Sequence, residues 1–498
     1  MQFFDDPTVD YLEPEVVARP SALLATAAVA GIAAEVALHT SLVGSAPLGL
    51  GIPIAVAAVV AGLIYGAVQL DTEPDTATLG MYLLAIGFAA LTAIRASAPL
   101  AAINVMASMT LVGLAATAHN PAAIRPSFLA EFGRAAQRVI GASWIGGFLV
   151  LGRDLRSLEF RRTEKLRRIA VGFMVALPML AIFGSLFVSA DQVFGNAVAR
   201  VTKFDLPDTL AAALTIAAFL SWCVLGLLRS ILTQPSPVPE HTARRFLGAT
   251  EAATAMWLVN GLFALFVGFQ IYEVAASYQS ADVSYAQQAR SGFFQLVWVA
   301  AIVVVVVLLL DWMVAARDHR RLHGQQFVLI ALTGLVLMSA IVRMALYVDA
   351  YGLTRLRVFT TVFMLWVAFV LGWLTRSVLI GKRRRFARPA LAGLLAATLA
   401  LNIVNPDSLI ATYNLERQPR LASSIDLTYL HHELSADAVP AIIANMDRLG
   451  SPCEQLRLVS NLGVDQEGDI RNWNLSRSRA AGLIEAVQRE LEGLCQSG

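Results

Sequence analysis

Apolar stretches of about 20 residues follow one another from Ser21 to roughly Val404, separated by short loops that alternate between rich and poor in Lys and Arg. A bilayer core roughly 30 Å thick is crossed by about 20 helical residues. The pattern therefore specifies an all-α, polytopic transmembrane helical bundle. Composition agrees: the chain is 57% hydrophobic and 15% charged, well below the quarter charged that soluble domains carry. A net charge of +2 over 498 residues sets up no field that would recruit nucleic acid. The partner this composition demands is the lipid bilayer.

Spans are expected near 21–45, 49–70, 78–97, 99–118, 169–190, 208–230, 248–272, 293–315, 326–348, 358–380 and 387–404. The run Ile302–Leu310 has no polar face at all, which only lipid or full burial tolerates. Residues 128–151 read either as an interfacial helix, with Arg134 and Arg138 opposite an apolar face, or as a short twelfth span. The first reading is preferred, giving about eleven spans and a basic, partly interfacial segment at 121–168.

Loop charge sets orientation. Four loops, 153–168, 229–245, 317–321 and 376–388, hold nineteen Lys and Arg, against five in the three loops that alternate with them. The rich loops are expected in the cytoplasm, together with the acidic segment 1–20. That first segment is unlike the basic start of a secretory signal. The loops near 191–207, 273–292 and 349–357, and the whole of 405–498, then face outward from the membrane.

Residues 405–498 lose the long apolar runs and are expected to form a small helical domain. Ser435 is placed as N-cap of a helix to about Leu449, and a second amphipathic helix is expected near 476–494. In an oxidising space Cys453 and Cys495 are expected to form a disulfide, the alternative being two free thiols.

Few residues carry candidate chemistry. Glu35 and His39 stand one turn apart in the first span, either as a proton relay or cation ligand or as a mutually satisfied pair. Glu251, Asn260 and Gln270 punctuate the span at 248–272, where interhelical hydrogen bonding is the ordinary role. Arg343 either binds an anion, snorkels, or pairs with Glu273 or Asp349. Arg95 is read as merely interfacial. His431, His432 and Glu433 are metal-ligand material, but adjacent histidines point about 100° apart on a helix and cannot both reach one ion without help. No phosphate-binding loop, zinc-binding His-Glu-x-x-His, dinucleotide fingerprint or nucleophile elbow is present. No catalytic residue, cofactor or metal site is assigned.

Three segments carry a resemblance. They are Thr254–Gln270 with Ser284-Tyr-Ala-Gln-Gln-Ala-Arg-Ser-Gly-Phe-Phe-Gln-Leu296; Arg343-Met-x-Leu-Tyr347 with Ala350-Tyr-Gly-Leu-Thr-Arg-Leu-Arg-Val358; and Asn405-Pro-Asp-Ser-Leu-Ile-Ala-x-Tyr-Asn414 with Asp426-x-x-Tyr-Leu430. Together, over roughly 245–440, the chain resembles an uncharacterised bacterial family of polytopic membrane proteins, a domain of unknown function of the 4153/4173 type. Gln295 stands where that family carries Glu. The resemblance implies fold and topology, and brings no established activity.

On the charge-derived map these segments converge on the outer face. Tyr285, Arg290, Arg343, Tyr347, Tyr351, Arg355, Arg357, Asn405 and Asp407 are expected to line an outward pocket, where guanidinium groups suit carboxylate or phosphate. Asp407, Asp349 and Glu273 could instead neutralise those arginines. The leading expectation is an envelope scaffold or sensing protein that binds an envelope protein or a small anionic ligand. A transporter of a small anionic or amphipathic solute is the alternative, and a membrane-embedded enzyme on a lipid-linked substrate the third.

Overall fold

The structure, a computed structural model, describes residues 20–42, 46–69, 72–118, 143, 147, 150, 208–232, 249–277, 293–313, 319–380, 386–417, 427–462, 464 and 468–497. The expected span at 169–190, nearly all of 128–151, and Tyr285 and Arg290 lie outside them.

Among the described residues, ten long helices follow the apolar runs: α1 Pro20–Leu42, α2 Gly51–Gln69, α3 Thr76–Ile94, α4 Ala98–Ala118, α5 Asp208–Leu232, α6 Ala249–Ser277, α7 Phe293–Met313, α8 His319–Tyr351, α9 Arg355–Ile380 and α10 Ala387–Val404. Five shorter or amphipathic ones follow in the described residues: α11 Pro406–Glu416, α12 Leu427–His432, α13 Val439–Ala444, α14 Pro452–Asn461 and α15 Leu475–Ser497. Among the described residues there are no strands. Among the described residues, eight helices are long and apolar enough to cross a membrane, or nine counting α10 and α11 as one bent span. Leu83 and Val29, each 70% exposed, and Leu258, at 73%, show what faces outward from them. Water would not tolerate such a belt, whereas hydrocarbon does. The chain is an all-α, multi-pass membrane protein.

The helices form two packed groups. In the first, α1 to α5 close around Leu23, Ala30, Leu63, Tyr82, Phe88, Leu111 and Leu228. Small residues let these backbones approach: a Cβ added at Gly31 would lie 2.1 Å from Ser221 Oγ. In the second, α6 to α9 and the start of α10 pack larger side chains, among them Met256, Val303, Leu329, Leu337, Met364 and Leu371. Leu100 of α4, Val358 of α9, Leu401 of α10 and Ile410 of α11 join the groups in one buried cluster.

Chain direction follows from a few contacts. The start of α2 touches the C-terminal segment, since Leu50 N–H donates to Trp473 O at 3.1 Å. At the opposite end, Gly66 near the end of α2 meets Leu228 near the end of α5. So α4 ends far from the C-terminal segment, and α5 begins close to it.

Beyond α10 the chain bends by 52° at Asn405, which has a φ of 55°, and continues as α11. Residues 427–497 then fold over this end of the bundle. The continuous helix expected from Ser435 to Leu449 is instead broken into a 3-10 turn Ala436–Ala438, α13, and a second 3-10 turn Met446–Arg448. Pro440 has no N–H to donate to the Ala436 carbonyl, so an α ladder cannot run through it. The helix expected at 476–494 is α15. The intervening α14 was not foreseen, although Ser451 and Glu454 form a capping box at its start. Cys453 of α14 and Cys495 of α15 are disulfide-bonded, with Cα atoms 5.1 Å apart.

A candidate functional site beneath the C-terminal segment

Two buried carboxylates organise the contact between the C-terminal segment and the bundle. Asp407, in the first turn of α11, is fully buried. It accepts from Arg355 Nε at 2.7 Å and Nη2 at 2.5 Å, and from Ser435 N–H at 3.0 Å and Oγ–H at 2.6 Å. A fork of this kind holds a carboxylate by geometry as well as charge. Asp437, 2% exposed, accepts from the backbone N–H of Ala96 at 2.8 Å and of Ser97 at 3.0 Å, and from the Ser476 hydroxyl. Ser435 Oγ lies 3.2 Å from Asp437 and 2.6 Å from Asp407. Its single proton goes to the nearer acid, so the hydroxyl sits between the two hubs.

Around them, main-chain ends of the bundle are satisfied by side chains. Arg95 was expected to do no more than sit at the interface. Instead its Nε donates to Asn402 O at 2.8 Å, and its Nη1 lies 4.0 Å from Asp437. A cation at the C-terminus of α10 offsets the helix dipole there. Asn104 and Asn402 exchange amide hydrogen bonds at 2.9 and 2.8 Å, tying α4 to α10. Asn474 donates to Thr92 O and Arg95 O, both at 2.9 Å. Asn414 donates to Leu353 O at 2.8 Å and accepts from Leu353 N–H at 2.7 Å, pinning the turn between α8 and α9.

The described members of the expected pocket, from Tyr347 to Asp407, are thus drawn to one end of the bundle, with their charges largely engaged, while Tyr285 and Arg290 lie outside the described residues. Arg355 is neutralised by Asp407, one of the alternatives the sequence left open. Arg357 donates to Gly352 O and stacks over the Tyr347 ring, 4.0 Å from its centroid, while Tyr347 and Tyr351 meet edge-on at 5.2 Å. Arg343 is half-buried on α8. Asn405 Nδ2 reaches Asp437 O at 3.5 Å.

Glu35 and His39 also belong to this end. His39 Nδ1 lies 2.7 Å from Glu35 Oε1, and above the pair Arg471 donates to Val36 O at 2.7 Å. The Arg471 guanidinium is held above its usual pKa, first by its hydrogen bonds to Asp469 and further by the charge of Glu35. Asp469 in turn is lowered to about 2 by Arg471. Glu251, exposed in the first turn of α6, is remote from this end. Asn260 donates to Gln325 O at 3.0 Å, the interhelical role expected. The His431 and His432 rings stand nearly perpendicular, and His431 contacts Asn461 O.

A family model matches residues 82–445, about three quarters of the sequence. The chain belongs to the DUF4153 family, a domain of unknown function. The DUF4153 region begins well before the motifs legible at 245–440, reaching back to Tyr82 in α3. It contains Arg95, Arg355, Asp407, Ser435 and Asp437, and stops short of Ser476 and the disulfide. No curated protein and no solved structure matches the chain.

Proposed function

We propose that this protein is a bacterial inner-membrane scaffold or sensing and binding protein, whose C-terminal domain is held on the periplasmic face as a fixed platform for an envelope partner. The saturation of Asp407 and Asp437 carries this reading. A transport gate or an open anion site needs charges free to exchange partners, whereas these are consumed in joining five parts of the chain. Three features support the orientation: the nineteen-to-five loop bias, the bonded cysteines, and the change of sides between Ala118 and Asp208, which fits eleven spans better than twelve.

A photo-crosslinking residue at Leu494, half exposed on α15, tests it in living cells. A discrete crosslinked band that Asp437→Ala abolishes is expected. No discrete band from any exposed position of 468–497 would contradict the platform reading.

A second reading has its own observation. Asn260 Oδ1, Gln325 Oε1 and Gln270 Nε2 are buried with no hydrogen-bond partner among the described residues, a costly arrangement in lipid. A transporter of a small amphipathic or anionic solute would use such groups along its path. Vesicle flux lost in Asn260→Leu with the fold intact would favour it.

A further inference from the structure

Among the described residues of the C-terminal segment, two large apolar side chains stand out at the bilayer edge. Ile470 is 73% exposed and Trp473 42% exposed, on and just after the 3-10 turn Ile470–Asn472. Their depth can be read from the helices that hold them. The 19 residues of α2 span about 28 Å at 1.5 Å each, close to the roughly 30 Å of the hydrocarbon core. Gly51, its first residue, therefore marks the boundary between acyl chains and headgroups.

The turn is fastened at that level from several sides. Leu50 N–H donates to Trp473 O at 3.1 Å, and Thr40 Oγ–H donates to Asn472 Oδ1 at 2.7 Å. A Cβ on Gly51 would lie 2.3 Å from Ala37 O and 3.4 Å from Arg471 O. Arg471 Nη1 reaches down α1 to Val36 O, six residues, or about 9 Å, before that helix ends. Val36 itself is 54% exposed on the outer surface of the bundle. A turn wedged at this depth, between two spans and beside a lipid-facing position, meets lipid rather than water.

We infer that the Ile470–Trp473 turn is a membrane-interface anchor, which inserts both side chains into the acyl–headgroup boundary of the leaflet beneath the C-terminal segment. Tryptophan suits that zone because its ring is apolar and its N–H can reach the wet layer. The Asp469–Arg471 pair, joined at 2.6 Å, sits beside it at headgroup level. The inference rests on the membrane character of the chain. It is independent of the compartment the segment faces and of any protein partner.

The test uses the full chain in phosphatidylcholine–phosphatidylglycerol vesicles. Ile470→Cys is made in a Cys223→Ser background and labelled with a nitrobenzoxadiazole dye under non-reducing conditions, with Leu494→Cys as the comparison. The dye at 470 is expected to be quenched several-fold more by lipids carrying a nitroxide near the top of the acyl chain, and to be shielded from aqueous iodide. Equal iodide quenching at both positions would overturn the anchor. If Ile470→Cys does not fold, intrinsic fluorescence gives a second reading: wild type should lose more signal to the nitroxide lipid than Trp473→Phe does. Equal losses would overturn it as well.

Discussion

The Ser97 N–H donates to the Asp437 carboxylate at 3.0 Å across 340 residues of sequence. This contact ties the loop between α3 and α4 to the 3-10 turn Ala436–Ala438 of the C-terminal segment. With Ala96 N–H and the Ser476 hydroxyl on the same acid, one carboxylate closes the first helices, the middle of the C-terminal segment and the start of α15 into one unit.

Removing that acid should loosen the cap before it harms the spans. Asp437→Ala leaves two N–H groups and a hydroxyl without their acceptor, a loss of about 2 kcal/mol or more. Limited proteolysis should cut 427–497 faster in this variant while the spans stay protected. Asp437→Asn, which keeps one acceptor oxygen, should fall between it and wild type.

The Arg355–Asp407 pair should behave as a coupled unit. Breaking a buried pair by removing one partner costs about 3 kcal/mol or more, because the other charge remains buried. Arg355→Met and Asp407→Asn should each lower the thermal midpoint in detergent, and the double variant should lose clearly less than the sum of the two.

Close helix approach predicts a steric contrast. Gly31→Val must push α1 away from Ser221 of α5 and should cost about 1–3 kcal/mol. Gly80→Val, where an added Cβ meets nothing within 4 Å, is the matched control and should be far milder. Comparing thermal midpoints of the two variants tests the packing.

The Asp469 contribution to docking of the 469–473 turn should be lost only in strong acid. Arg471 depresses the Asp469 carboxyl from 3.8 to about 2. Because the folded value is the lower one, this contribution is complete above 3.8 and fades as pH falls toward 2. Trp473 emission should be flat from neutral to about pH 4 and shift below it. Asp469→Asn should remove that shift.

The Cys453–Cys495 bond closes a separation of 42 residues, worth about 4 kcal/mol in the loop-entropy model. Cys495→Ser should lower protection of α14 and α15 against proteolysis without changing that of α1 to α4.

The spans were legible because hydropathy is local: ten of the eleven expected stretches coincide with α1 to α10, and the other, 169–190, lies outside the described residues. Their ends were less so. Helix α8 starts at His319, well before the apolar run, because a helix can leave the lipid without ending and polarity marks only the lipid boundary. The site was half legible. Arg355, Arg357, Asn405 and Asp407 were picked out as charged or polar groups at span ends, yet nothing in periodicity says which charge meets which. Asp437 lies inside the helix expected from Ser435 without standing out there, and Arg95 reads as an interfacial cation, since a contact spanning 340 residues leaves no local pattern. Asn104 and Asn402, single amides in apolar helices, were the signal that could have tied α4 to α10.

The central claim is that the turn between α8 and α9 and the C-terminal domain share the outer side of the membrane. Tyr351→Cys and Leu494→Cys, each in a Cys223→Ser background, can be treated in intact spheroplasts with a maleimide that cannot cross lipid. Both positions should label before lysis. Labelling of one and not the other would contradict the shared side, and labelling of neither until lysis would contradict the orientation.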